Sequence, residues 1–182
     1  GWTQRIIEAA LELRREHSIE TRDVAAIAIE IPPFDFINRP APSSGLDGKY
    51  SVQYAAVVSL LDGDVTIDSF SDARRFSADV DDMLSRVTVS YDPSIEMSSL
   101  KTLARVHVTL TDGTELTCSK QRIPGMLGIP LSETEQLAKF MSCTVPVIGA
   151  QRAEAIAALT DRLEELDTVS ELIGLVAGID AT

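Results

Sequence analysis

Apolar residues recur along this chain with two periods, and the alternation between them sets out the elements. In "TQRIIEAALELRREH" (3–17), Ile6, Ile7, Ala10, Leu11 and Leu13 fall on one side of a 3.6-residue repeat, while Glu8, Glu12, Arg15 and Glu16 fall outside it. This spacing predicts an amphipathic helix, with Thr3 placed to cap it. The period then drops to two in "VAAIAIEI" (24–31), where Ile27, Ile29 and Ile31 share a face. The opposite face is mostly alanine, so a second packed layer is expected against it. Pro32-Pro33 ends the strand, and residues 32–48 form a long loop rich in Pro, Ser and Gly.

"GKYSVQYAAVVSLLDGDVT" (48–66) has two characters. Ala55, Ala56, Val57, Val58, Leu60 and Leu61 predict a buried helix that ends at Asp62-Gly63. Lys49, Tyr50, Ser51, Gln53 and Tyr54 crowd its start. Two short helical pieces follow near 69–75 and 78–85, the second with Ser77 as its cap. Three strands come next, "VTVSY" (87–91), "LARVHVTL" (103–110) and "ELTCSKQ" (115–121), with an Asp112-Gly113 hairpin joining the last two. An irregular stretch, "RIPGMLGIPLS", leads to a helix opened by a Ser132/Glu135 capping box, with Leu137, Phe140 and Met141 as its buried face. Ile156, Leu159, Leu163 and Leu166 then repeat at 3-4-3 spacing, a stripe suited to another helix. Thr168 with Glu171 predicts a further capping box, and Gly178 a helix end. Consecutive strands with helices grouped beside them indicate an α+β fold with an antiparallel sheet.

Composition narrows the function classes. At 182 residues and 45% hydrophobic, the chain can bury a core without staples. A net charge of −12 disfavours nucleic acid and anionic membranes as partners, though a local cluster of donors could still hold a small anion. No apolar run nears the roughly 20 residues of a membrane span. Cys118 and Cys143 form no C-x-x-C pair, which suits reduced thiols in a cytoplasmic protein. A chain that begins directly in a helix is expected of a segment of something longer.

Few residues offer chemistry. Dinucleotide, P-loop and nucleophile-elbow signatures are absent. His17 and His107 are far apart and the cysteines unclustered, so no zinc site is expected. The G-x-x-G at 125–128, flanked by Lys120 and Arg122, reads as a flexible turn between solvated charges. The start of the 51–61 helix is the better candidate. Free backbone N–H groups and the positive dipole end converge there, Lys49 stands beside it, and a tyrosine hydroxyl can donate a hydrogen bond or a proton. Burial of Tyr54 as a core aromatic is the structural alternative.

The ordered set "GKYSVQYAAVVSLLDGDVTIDSF", "VDDMLSRVTVSYDP", "VHVTLTDGTELT" and "GMLGIPLSETEQLAKF" resembles the C-terminal part of the MmgE/PrpD family, over about Thr3 to Gly178. The matching positions are Ser51 to Tyr54, Leu61 to Gly63, Leu110 to Gly113, Pro130 to Ser132, and Lys139-Phe140. The resemblance implies a lid-type, two-layer α+β domain over 1–148. Residues 149–182 would be helices that return to a helical domain not present in this chain. It also implies cofactor-independent proton abstraction or elimination on small di- or tricarboxylates, as in a 2-methylcitrate dehydratase-like lyase. An epimerase or decarboxylase of the family, or a non-catalytic interaction module, are the alternatives. Tyr54 would be catalytic, and Lys49, Ser51, Gln53 and Gln4 would bind substrate. A homodimer is the expected assembly. One departure stands out. Many relatives carry a histidine where "QRIIEA" places Gln4, and the lysine of that pattern would fall before Gly1. Glutamine can hydrogen-bond a carboxylate but cannot exchange a proton near neutral pH.

Overall fold

The computed structural model describes residues 1–98 and 101–178, which form two compact units, one over 1–130 and one from Leu131 onward. Helix α1 (Gln4–His17) turns its apolar stripe inward, with Ile6, Ala9, Ala10 and Leu13 fully buried. Thr3 precedes it but makes no side-chain cap; its hydroxyl donates instead to the Lys49 carbonyl at 3.0 Å. Strand β1 (Val24–Ile31) buries Ile27, Ile29 and Ile31. A register irregularity between Val24 and Ala26 breaks the alternation, and Ala25, Ala26 and Ala28 are exposed. Among the described residues of this unit, no second layer covers that alanine face.

The segment that reads as a long loop is pinned throughout. It contains a 3-10 turn (Asp35–Ile37) and a one-turn helix α2 (Gly45–Gly48), capped by Ser44 Oγ accepting from the Asp47 N–H at 3.1 Å. Helix α3 (Val52–Asp62) is buried from Val52 to Leu60, as a helix apolar on nearly all sides must be. It ends at Gly63, whose φ of 74° is the left-handed cap. Helices α4 (Asp72–Arg75) and α5 (Ala78–Leu84) follow. Ser77 precedes α5 without capping it; its hydroxyl donates to the Arg74 carbonyl at 2.7 Å.

Strands β2 (Val87–Tyr91), β3 (Ala104–Leu110) and β4 (Glu115–Lys120) complete one sheet in the order β2-β1-β3-β4. The sheet is mixed, not purely antiparallel: β2 pairs parallel with β1, Ile29 facing Val89, whereas β1–β3 and β3–β4 are antiparallel. The physical reason is the connection. The helices of residues 32–86 separate β1 from β2, long enough for the crossover a parallel pair requires. The β3–β4 hairpin turns at Gly113, φ 88°, with the Thr114 N–H donating to Asp112 Oδ1 at 2.9 Å. Helices α1 and α3 cover one face, joining Val106 and Val108 of β3 to Val52, Val57 and Val58 in a single core. The unit is therefore a two-layer α+β arrangement.

In the second unit, helix α6 (Glu133–Ile148) opens with the expected capping box: Ser132 Oγ accepts from the Glu135 N–H at 3.3 Å, and Glu135 Oε2 accepts from the Ser132 N–H at 2.8 Å. None of its residues is fully buried: Leu137 is half exposed and Phe140 and Met141 are half-buried, so the expected Leu137–Phe140–Met141 face is only partly covered in its own unit. Helix α7 (Ala150–Thr160) buries Ile156 and Leu159 and then stops. Arg162 leaves helical geometry, and Leu163 falls in a 3-10 turn with Leu166 beyond it. The 3-4-3 stripe therefore does not lie on one helix. Helix α8 (Ser170–Ala177) starts at Val169, and Thr168 Oγ1 accepts from the Ser170 N–H at 3.3 Å, so no Thr168/Glu171 box forms. Gly178 closes it in the left-handed region, φ 76°.

In the first unit, Arg74 ties the end of α3 to the start of α5, with its Nη2 donating to Asp62 Oδ1 at 2.6 Å and its Nη1 to Asp79 Oδ1 at 2.9 Å. These bonds hold the Asp79 carboxyl down at about 2. A lowered folded-state pKa stabilises the fold above the ordinary aspartate range and ceases to do so as pH falls toward about 2. Thermal unfolding followed between pH 5 and 2 should therefore show a fall in midpoint that is shallower in Asp79→Asn than in the wild type.

Candidate functional site

The start of α3 is built from polar residues that face backbone. Ser51 adopts extended geometry, and its Oγ accepts from the Tyr54 N–H at 3.0 Å. The same hydroxyl donates to the Arg39 carbonyl at 2.6 Å. Gln53 is 3% exposed; its Oε1 accepts from the Arg39 N–H at 3.1 Å and its Nε2 donates to Asn38 Oδ1 at 2.5 Å. Tyr54 is fully buried, and its hydroxyl donates to the Ser69 carbonyl at 2.5 Å. Burial pushes the Tyr54 phenol above its ordinary value, so it is a neutral donor throughout the physiological range. Its ring packs 6.1 Å from Phe70 and directly over Gly48.

The exposed residues are different ones. Lys49 and Gln4 both reach solvent. Thr3, the residue before Gln4, donates its Oγ1 hydrogen to the Lys49 carbonyl. The Lys49 ammonium lies 5.6 Å over the Phe70 ring. Tyr50 is 47% exposed and ends a run of aromatics: Trp2 to Phe34 at 4.9 Å, Phe34 to Phe36 at 5.9 Å, and Phe36 to Tyr50 at 5.5 Å. The Arg39 guanidinium covers Phe36 and Tyr50 at 4.9 and 5.5 Å and pairs with Asp47. Gln4 lines a cleft of about 430 Å³ with Trp2, Arg5, Met97, Ser98 and Met126.

Of the five residues singled out by sequence, Lys49 and Gln4 thus lie on an accessible surface, while Ser51, Gln53 and Tyr54 lie beneath it. Sequence reasoning did not reach Asn38, Arg39 and Ser69, whose backbone or amide groups complete the network. No periodicity or motif marks them. The other candidates have local partners. His107 Nδ1 lies 2.9 Å from Thr117 Oγ1, Lys120 pairs with Glu12, and Arg122 Nη2 donates to the Leu127 carbonyl at 2.6 Å. Cys118 is buried against Glu12, and burial pushes its thiol up to about 12. Among the described residues, no three His, Cys, Asp or Glu side chains are grouped to hold a metal, and no helix is long and apolar enough to cross a membrane.

A family model described as the MmgE/PrpD C-terminal domain matches residues 1–165. The cis-aconitate decarboxylase of Mus musculus is 29% identical over 155 residues, which is 85% of this chain and 32% of that protein. The cis-aconitate decarboxylase of Homo sapiens is 29% identical over 181 residues, 97% of this chain and 38% of that protein. The chain therefore spans about a third of the length of these curated relatives.

The contact of Tyr54 with Gly48 gives a direct test of this packing. A Cβ on Gly48 would lie 2.5 Å from Tyr54 Cδ1. Gly48→Ala should lower stability by about 1–3 kcal/mol in urea unfolding, because the ring is confined from every side.

Proposed function

The chain belongs to the MmgE/PrpD family as its C-terminal domain, and we propose that it forms one wall of an active site acting on small di- or tricarboxylates. The relatives named above are decarboxylases, a lyase-type activity. We read this member as a lyase of the 2-methylcitrate dehydratase type, with decarboxylation and epimerisation as the family alternatives. Because the chain spans about a third of those relatives, a helical domain would supply the other wall and this chain alone would be inactive. The observation that supports the reading is the hydrogen bond from Thr3 Oγ1 to the Lys49 carbonyl, which ties the residue before Gln4 to the backbone of Lys49, with both Gln4 and Lys49 exposed.

The chemistry follows from those groups. Removing a proton beside a carboxylate throws negative charge onto its oxygens. A positioned ammonium and amide N–H are donors suited to that charge. Lys49 supplies the charge and Gln4 the amide. Gln4 binds but does not exchange protons, so the base in this reading comes from the other wall. Tyr54 is fully buried with its hydroxyl on the Ser69 carbonyl, so in this reading it would act as donor or general acid only after the Ser69 segment moves aside to uncover it. Ser51 and Gln53 would hold the surface in place. Self-association through exposed Leu137, Val147, Ile173 and Val176 of the C-terminal helices suits a dimer.

Tyr54→Phe in an enzyme joining this chain to the family's helical domain tests the site. Turnover of cis-aconitate or 2-methylcitrate should fall by about 100-fold or more if the hydroxyl takes part in proton transfer. An unchanged kcat with lowered stability would place Tyr54 in the framework alone.

A further inference from the structure

Strand β2 lies at an edge of the sheet, with β1 on one side. Two backbone bonds frame it: the Ile27 N–H donates to the Arg86 carbonyl at 3.0 Å, and the Asp92 N–H to the Ile31 carbonyl at 2.9 Å. The parallel register sets Ile27 beside Val87 and Ile31 beside Tyr91, so residues 86, 88, 90 and 92 turn their backbone groups toward β1. The N–H and C=O groups of Val87, Val89 and Tyr91 therefore point outward. Among the described residues, no hydrogen bond ends on these outward groups. Exposed edges are usually guarded by a charge, a proline or a bulge. The opposite edge, β4, carries Glu115 at one end and Lys120, paired with Glu12, at the other. "VTVSY" contains no charge and no proline, and its register with β1 is unbroken. Val87 and Val89 pack against the core, while Thr88 and Ser90 are exposed on the open face.

We infer that β2 pairs with β2 of a second copy of this chain, antiparallel and centred on Val89, joining the two sheets into one. In this register Val87 lies opposite Tyr91 of the second copy, and Val89 opposite its own counterpart. The outward groups of the two strands then meet as hydrogen-bonded pairs, with none left over. A slip of one residue would set them against groups already bonded to β1. The register also sets Arg86 opposite Asp92 of the second copy, at both ends of the junction by symmetry. A parallel pairing in register would set Arg86 beside Arg86 instead. Arg86 already meets Asp82 and the Val24 carbonyl, and Asp92 already meets Arg105. Their contact across the junction therefore selects register more than it adds affinity. The half-buried Val87 and Val89 supply the apolar gain, because their side chains continue the core from one copy to the next. The inference does not depend on the active-site reading. It uses a different surface from the exposed apolar residues of α6 and α8.

Amide exchange of the 182-residue chain, followed by NMR at low and high protein concentration, tests it. The Thr88 and Ser90 amides, bonded to β1, should be protected at both concentrations. The Val87, Val89 and Tyr91 amides should gain about tenfold or more in protection as concentration rises. Thr88→Lys with Ser90→Lys, at two exposed positions, sets lysine opposite lysine across the junction. It should abolish that gain and raise the dimer dissociation constant in sedimentation by about tenfold or more. In a mixture of labelled and unlabelled chains, Val87 of one copy should give a nuclear Overhauser contact to Tyr91 of the other. Outward amides that exchange fast at every concentration would overturn the inference. So would a contact from Val87 to Val87, which means parallel pairing. A dimer that the two lysines leave unchanged would also overturn it and would assign association to another surface.

Discussion

Polar side chains buried at the start of α3 constrain everything around them. Ser51, Gln53 and Tyr54 are at most 3% exposed, and each carries groups that would cost about 1–3 kcal/mol if left unpaired. They find partners in the chain itself. Ser51 and Gln53 take both the carbonyl and the N–H of Arg39, and Tyr54 takes the carbonyl of Ser69. One helix turn therefore fixes two connections that have little regular structure of their own. The long segment after β1 is held in place by this satisfaction of hydrogen bonds, with only Ile37 of its 3-10 turn in the core.

That constraint also separates framework from surface. With Ser51, Gln53 and Tyr54 committed inward, the groups offered to solvent are Lys49, Tyr50 and Gln4, together with the aromatic run from Trp2 to Tyr50. Their positions depend on the same network, because Lys49 and Tyr50 lie between Gly48, packed under the Tyr54 ring, and Ser51. The helix start is not an open anion site of the kind its backbone N–H groups suggest. Ser51 Oγ already fills the Tyr54 N–H, and Val52 and Gln53 are buried. In the proposed active site, the ammonium and amide side chains, and not the helix dipole, meet the carboxylate.

Much of the fold could be read from periodicity. Residues 24–31 and the Asp112-Gly113 hairpin follow from period and turn chemistry alone, and the Ser132/Glu135 box from local spacing. Pairing was less legible. Strand propensity does not say which neighbour a strand takes, and β2 joins β1 in parallel because the intervening helices make that crossover possible. Nor does spacing show where a helix stops without glycine or proline. Leu163 and Leu166 keep the 3-4-3 rhythm, yet α7 ends ahead of them. At the site, residue type drew attention to the right stretch but not to its orientation. A serine, glutamine and tyrosine at a helix start look the same whether they face a ligand or a loop. Asn38, Arg39 and Ser69 could have been found only from the fold, since Arg39 and Ser69 contribute backbone groups that carry no side-chain signal.

The bond from the Arg39 N–H to Gln53 Oε1, 3.1 Å long, is the link between the first turn of α3 and the loop before it. Amide hydrogen exchange at Arg39, compared between wild type and Gln53→Leu, isolates it. If the first turn of α3 holds the loop, the Arg39 amide is strongly protected in the wild type and exchanges far faster in Gln53→Leu, while amides in the centre of α3 keep their protection. Equal protection of Arg39 in the two proteins, with α3 intact in both, would contradict the claim that this helix turn organises the site.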